Sequence, residues 1–111
     1  MMEIRKKDNQ IWIGDKHYNF KQNIEKIAVF PKIIVLMFWK QDEVQRNNII
    51  AIDYEGRVCW NISDINKLNY AEAYVTLSKE EDNIISVTSY NGVKIYINVD
   101  TKQIIKKKIT K

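Results

Sequence analysis

A hairpin phrase recurs along this chain and constrains its fold more than any single residue. Asn48-Ile-Ile-Ala-Ile-Asp53 passes through Tyr54-Glu55-Gly56 into Arg57-Val-Cys-Trp60-Asn-Ile62. A looser copy runs from Asn83-Ile-Ile-Ser-Val-Thr88 through Asn91-Gly92 into Val93-Lys-Ile-Tyr-Ile-Asn-Val99, then through Asp100-Thr101-Lys102 into Gln103-Ile-Ile-Lys106. A shorter version opens the chain, where Gln10-Ile-Trp-Ile13 bends at Gly14-Asp15 into Lys16-His-Tyr-Asn-Phe20. Short β-rich runs joined by tight turns at a near-constant period describe repeated antiparallel sheet units.

The bends at Asp15, Glu55 and Thr101 are 40 and 46 positions apart, and propeller blades repeat every ~40 to 50 residues. Further apolar runs complete the units. The first unit would comprise Glu3 to Arg5, Gln10 to Ile13, His17 to Phe20 and Ile24 to Phe30, with Pro31 as its boundary. Lys32 to Trp39, Asn48 to Asp53, Val58 to Ile62 and Ala71 to Leu77 would form the second. Asn83 to Ser89, Val93 to Val99 and Gln103 to Ile109 would form the third. Gln41 to Asn47 reads as a polar loop, and Ser63 to Ala73 is the one stretch with helical character, capped by Ser63 or Asp64 and carrying Ile65 and Leu68.

The phrases over Asn48 to Ile62 and Asn83 to Ile105 resemble the second-strand, turn, third-strand segment of quinoprotein-type and other β-propeller repeats, in which a tight turn leads into a Trp-bearing strand. Lys102 stands where such repeats often place Gly, and the first copy lacks the tail of the pattern. Nothing indicates a bound quinone. Closed propellers carry typically four to eight blades, so the resemblance implies an all-β chain of about three antiparallel blades forming an open half-propeller. A small β-barrel or sandwich is the alternative.

The 111 residues suit a single domain, 1–111, and the 45% apolar content suffices for a core. The net charge of +4 owes much to Lys102, Lys106, Lys107, Lys108 and Lys111 near the C-terminus. A single cysteine, Cys59, rules out an intramolecular disulfide and reads as a buried small hydrophobe, which fits a reducing cytoplasm. The longest apolar run, Ile33 to Trp39, is far shorter than a membrane span.

The inventory for catalysis is poor. His17 is the sole histidine and, beside Tyr18 and Phe20, reads as half packed against the core without an orienting partner. No Cys/His spacing suits a metal, and Asp53 and Glu55 lack the ligand series of a calcium loop. The expectation is a protein that is not an enzyme and uses neither cofactor nor metal. The aromatic set Trp12, Tyr18, Phe20, Phe30, Phe38, Trp39, Trp60, Tyr74 and Tyr96 alternates within strands, so most of it should enter the core and some should not.

Three open blades leave sheet surface uncovered, which calls for a partner. Asp15, Asp53, Glu55, Glu80, Glu81, Asp82 and Asp100 fall in turns expected at one end of the stack. A compact Asn/Lys/Ile-rich chain of this type resembles the small immunity proteins of contact-dependent growth inhibition and other polymorphic toxin systems. That resemblance implies a cytoplasmic bacterial protein that binds and blocks a cognate toxin, a basic nuclease such as an EndoU-type ribonuclease. The residues expected to bind it are Asp53, Tyr54, Glu55, Glu80, Glu81 and Asp82, with Tyr90 as a further aromatic anchor. The alternatives are a nucleic-acid-binding module using Lys106, Lys107, Lys108 and Lys111 beside Tyr96, and a self-associating propeller subunit. Protection of a sheet edge is the favoured reading of these lysines, so nucleic acid is not the expected partner.

Overall fold

The computed structural model describes residues 3–39, 48–66 and 73–109. It is all-β apart from one short helical turn, and its strands form three open antiparallel sheets. The first sheet holds β1 (Ile4–Lys7), β2 (Gln10–Ile13) and β3 (Lys16–Asn19). β4 (Ile24–Val29), β5 (Ile34–Phe38), β6 (Ile49–Ile52) and β7 (Val58–Asn61) form the second as a simple meander. The third is a meander of β8 (Tyr74–Glu81), β9 (Ile84–Ser89), β10 (Val93–Asn98) and β11 (Gln103–Ile109). The sheets are open, which sets aside the closed barrel.

Every residue of β5 and β6 is buried, because the second sheet lies between the other two. Successive side chains point to opposite faces of a strand, and here each face has its own core. Ile34, Leu36, Phe38, Ile50 and Ile52 pack with Ile11 and Ile13 of the first sheet. Val35, Met37, Ile49 and Ala51 pack with Leu77, Ile85, Val87, Ile95 and Ile97 of the third. A strand covered on both faces loses the polar alternation of an ordinary surface strand and becomes a continuous apolar run, which is why Ile34-Val-Leu-Met-Phe38 carries no polar residue.

The sheet boundaries differ from the expected ones by one strand. Ile24–Val29 belongs to the second sheet, where it pairs with β5 from Ile24↔Phe38 to Val29↔Ile34. Pro31 therefore sits in a hairpin bend, closed by the Phe30 amide donating to the Ile33 carbonyl at 2.9 Å; proline suits such a bend because its φ is preset. Likewise the strand read as Ala71 to Leu77, of which residues 71 and 72 lie outside the described residues, is observed from Tyr74 as β8, the first strand of the third sheet. The short connection at Asp82 and Asn83 pairs β8 with β9 and leaves it unpaired with β7.

The helical turn α1 (Ile62–Ile65) is capped by Asn61, two positions before the expected Ser63, and Asp64 Oδ2 accepts from the Asn61 amide at 3.3 Å. Residues 67–72 of the expected helical stretch, including Leu68, and the expected loop at Gln41 to Asn47 lie outside the described residues, and Ala73 is not helical. Cys59 is exposed, contrary to its expected burial, because it occupies the outward position of β7 next to the buried Trp60. Lys102 has the positive φ of 64° that makes glycine common at this turn position.

Truncating the double-sided middle layer should be costly. Leu36→Ala is expected to lower unfolding free energy by about 2–5 kcal/mol, whereas Ile105→Ala, at a side chain 53% exposed, should change it by roughly 0.5 kcal/mol or less. Urea denaturation of the two variants checks the contrast.

Candidate protein-binding site

β8 lies at the edge of the third sheet and against β4 of the second, and both its ends carry groups suited to recognition. At its start, Phe38, Trp39, Tyr74, Val75 and Tyr90, with Glu25, line an open groove of about 330 Å³. Trp39, Val75 and Tyr90 are 52%, 45% and 69% exposed. At the far end, Glu80 and Glu81 lead into the Asp82 turn, beside Asp100 on the neighbouring β10–β11 turn. The Val99 amide donates to the Asn83 carbonyl at 2.9 Å and ties these two turns together.

The groove is held by a buried polar clamp. Asn48 is 1% exposed; its Nδ2 donates to the Tyr74 carbonyl at 2.9 Å and to the Phe38 carbonyl at 3.3 Å, while its Oδ1 accepts from the Tyr74 amide at 3.0 Å. Buried backbone groups need such partners, because leaving one unsatisfied costs about 1–3 kcal/mol. This side chain thus fixes the start of β8 against the second sheet. Two more bonds fix the rest of that interface: Trp60 Nε1 donates to the Val99 carbonyl at 3.1 Å, and Lys79 Nζ to the Val29 carbonyl at 2.9 Å. Lys79 also lies over the Phe30 ring, 4.7 Å from its centroid.

The residues expected to bind a partner separate into three groups. Asp53, Tyr54 and Glu55 share the β6–β7 turn and are engaged within the fold. Asp53 Oδ1 accepts from the Glu55 and Arg57 amides, each at 2.9 Å, and Oδ2 accepts from Arg57 Nε at 3.1 Å. The backbone bond from Arg57 leads the causes that hold the Asp53 carboxyl below its ordinary pKa. Tyr54 donates its hydroxyl to the Phe30 carbonyl at 2.6 Å, and desolvation pushes its pKa up. Glu55 pairs with Lys16 and bridges to the first sheet. Gly56 closes this turn at φ 83°, where a Cβ would overlap the Tyr18 ring.

Glu80, Glu81 and Asp82 stand together at the end of β8, and the Glu80 carboxylate accepts from the Ser86 hydroxyl at 2.6 Å. Tyr90 lies at the opposite end, beside the start of β8, since Tyr74 pairs with Ser89. The seven residues do not form one cluster; a strand the length of β8 separates Tyr90 from Glu81, about 23 Å at the usual rise.

Trp39 and Val75 were not expected at a site. Trp39 ends an otherwise apolar run immediately before a polar stretch, and that position was the one signal of its exposure.

His17 is exposed, contrary to its expected half-packed position, and stacks on Trp12 at 4.7 Å while its Nε2 meets Gln10 Oε1 at 2.8 Å. Burial, and then the Asp53 charge, push the Cys59 thiol above its ordinary pKa, the reverse of an activated nucleophile. Among the described residues no group of His, Cys, Asp and Glu could hold a metal ion, and no helix is long and apolar enough to cross a membrane.

Residues 1–109 match the model of a domain of unknown function, DUF7957. The chain belongs to the DUF7957 family. Among proteins of curated function none matches this sequence. The match spans all three sheets, so the DUF7957 unit includes both ends of β8.

The depressed Asp53 pKa sets a pH dependence. Its contribution to stability is complete above the unfolded carboxylate value, about pH 4, and is lost as pH falls through the lower folded value. Asp53→Asn keeps an acceptor for the turn amides but removes the titrating charge. Urea unfolding between about pH 2 and 5 should therefore show a shallower acid limb for the variant than for the native chain.

Proposed function

We propose that this DUF7957 protein is a non-enzymatic protein-binding module that neutralises a cognate bacterial toxin by covering its active or substrate-binding surface. The observation that carries this reading is the convergence of exposed Trp39, Val75 and Tyr90 at the start of β8. Large aromatic side chains grouped at a surface groove are the usual anchors of protein interfaces. From this groove the exposed flank of β8 runs through Thr76, Ser78 and Lys79 to Glu80 and Glu81. A partner laid along that flank reaches both the aromatic anchors and the acidic tip, and a standard interface of roughly 800 Å² per partner is large enough to do so.

The acidic tip favours a basic partner. Glu81, Asp82 and Asp100 belong to none of the ion pairs found among the described residues, whereas Asp53 and Glu55 are paired. Unpaired carboxylates accelerate the approach of a cationic protein, and desolvated aromatics then slow its release. A nuclease, whose substrate surface must be cationic, has the required charge. Bulges on β8 between Tyr74 and Thr76 and between Lys79 and Glu81 interrupt its edge. Recognition by simple strand addition is therefore disfavoured relative to side-chain docking. In this reading the three stacked sheets are blades of an open arc, and the protein acts as an immunity protein in the cytoplasm of the toxin-producing cell.

Self-association by further stacking is disfavoured by charge. The outer face of the first sheet carries Arg5, paired with Glu3, and Lys7, Gln10, Trp12 and His17, and that of the third carries Lys94, Tyr96, Lys106 and Lys108 beside Glu80, so each keeps a net positive charge. Two cationic faces repel each other, as polar outer faces of terminal repeats do. Light scattering at about 150 mM salt, where screening reaches ~8 Å, should report a monomer.

Affinity capture from native cells with nuclease treatment, followed by mass spectrometry, should recover a stoichiometric toxin domain. With the purified pair, Trp39→Ala and Tyr90→Ala should each weaken binding by about 2 kcal/mol or more, chiefly through faster dissociation. Glu81→Lys with Asp82→Lys should slow association and flatten its salt dependence. Unchanged affinity in all these variants would overturn the assignment of the surface, and the absence of any toxin partner would overturn the function.

A further inference from the structure

The outer face of the third sheet, on the side away from the second, carries a basic and aromatic surface with a different chemistry. Tyr96 occupies β10, one strand in from the edge, and is half-buried. Two ammonium groups lie over its ring, Lys94 Nζ at 5.4 Å and Lys106 Nζ at 5.7 Å from the centroid. Lys108 faces Lys94 across the strand pair, and Gln103 faces Asn98 on the other side of Tyr96. Ile105, 53% exposed, forms an apolar shelf with Ile84 beside the ring, in a groove of about 290 Å³.

A β-bulge assembles this surface. Ile97 pairs with Ile104, but the register shifts at the next step, so Tyr96 faces Lys106 and Ile105 is the additional residue. Without that shift, alternation would put Ile105 and Lys107 on the outer face and turn Lys106 and Lys108 toward the core side. With it, Lys106 and Lys108 join Tyr96 and Lys94 outside, and Lys107 lies opposite Ile95 on the inner side. Protection of an exposed edge accounts for lysines on β11. It does not account for Lys94 and Tyr96 on the neighbouring strand.

We propose that this face binds single-stranded nucleic acid, with a base stacked on Tyr96 and the backbone phosphates held by Lys94, Lys106 and Lys108. Cations beside a stacking aromatic on an open sheet face supply the two interactions by which single strands are held without sequence preference. Successive outward rows lie about 6.7 Å apart, a step that one extended nucleotide covers. Glu80 and Glu81 border the groove on the β8 side and direct a polyanion toward the Lys94 and Lys108 half. This site is separate from the Trp39 groove, adjoins the acidic end of the β8 flank at Glu80 and Glu81, and does not depend on the toxin reading.

The test is fluorescence anisotropy with the full chain and labelled twelve-nucleotide oligo(U) and oligo(dT), with duplex DNA and heparin as competitors. Three phosphate contacts predict that affinity falls roughly fifteen- to twentyfold between about 50 and 200 mM salt. Tyr96→Ala should weaken binding about tenfold or more, while Tyr96→Phe retains it and reports on folding. Lys106→Glu should weaken it far more than Lys107→Glu, although both change the net charge equally. No binding at low salt overturns the proposal. Equal effects at Lys106 and Lys107, or indifference to Tyr96→Ala with heparin competing as well as oligo(U), also overturn it by showing general polyanion attraction.

Discussion

The structure depends on burying one sheet from both sides. Most antiparallel sheets place one face against a core and one against water, but β5 and β6 have no solvent face. Each fully buried aliphatic side chain contributes about 1.5–3 kcal/mol, and on these strands every position contributes. The first and third sheets are each amphipathic and pack on opposite faces of the middle one, so its two apolar faces hold the three layers together.

Apolar contact alone would let the layers slide, since the hydrophobic effect has no direction. Direction comes from a few polar bonds between layers. Asn48, Trp60 and Lys79 join side-chain donors of one sheet to backbone carbonyls of the next, while Tyr54 ties the β6–β7 turn to the Phe30 carbonyl of the β4–β5 bend within the middle sheet. These bonds also position the surfaces where recognition is proposed, since Asn48 holds Tyr74 and the start of β8, while Lys79 holds its far half. The turn carboxylate of Asp53 is likewise structural first, because its oxygens are occupied by backbone amides and Arg57.

The three surfaces left by this architecture differ chemically. The flank of β8 is aromatic at one end and acidic at the other, whereas the outer faces of the first and third sheets are cationic with an aromatic residue in their midst. Trp12 lies under Arg5 and against His17 on one outer face, much as Tyr96 lies under lysines on the other. Net positive outer faces limit stacking of copies, while the acidic end of β8 stays open to a basic protein and the Lys94 and Lys108 half of the third sheet to a polyanion.

Local order was legible in the sequence. Gly56 and Gly92 mark bends, alternation in Val93–Asn98 marks an inward and an outward face, and Ile34-Val-Leu-Met-Phe38 marks a strand with no solvent side. Sheet membership was less legible. Pro31 signals a turn equally well between sheets or within one, and only the pairing of β4 with β5 decides which. Site residues were partly legible: the carboxylates of Glu80, Glu81 and Asp82 could be placed near one another because they are adjacent in the chain. Tyr90 could not be placed relative to them, since the strand direction of β8 sets which end of the sheet each occupies. By itself the sequence determined the strands, their turns and the all-β class, because these follow from alternation and backbone geometry within a few residues. Tertiary structure alone decided which strands share a sheet, which face of β11 carries its lysines, and that Trp39 meets Tyr90, because each depends on pairing or packing between residues far apart in the chain.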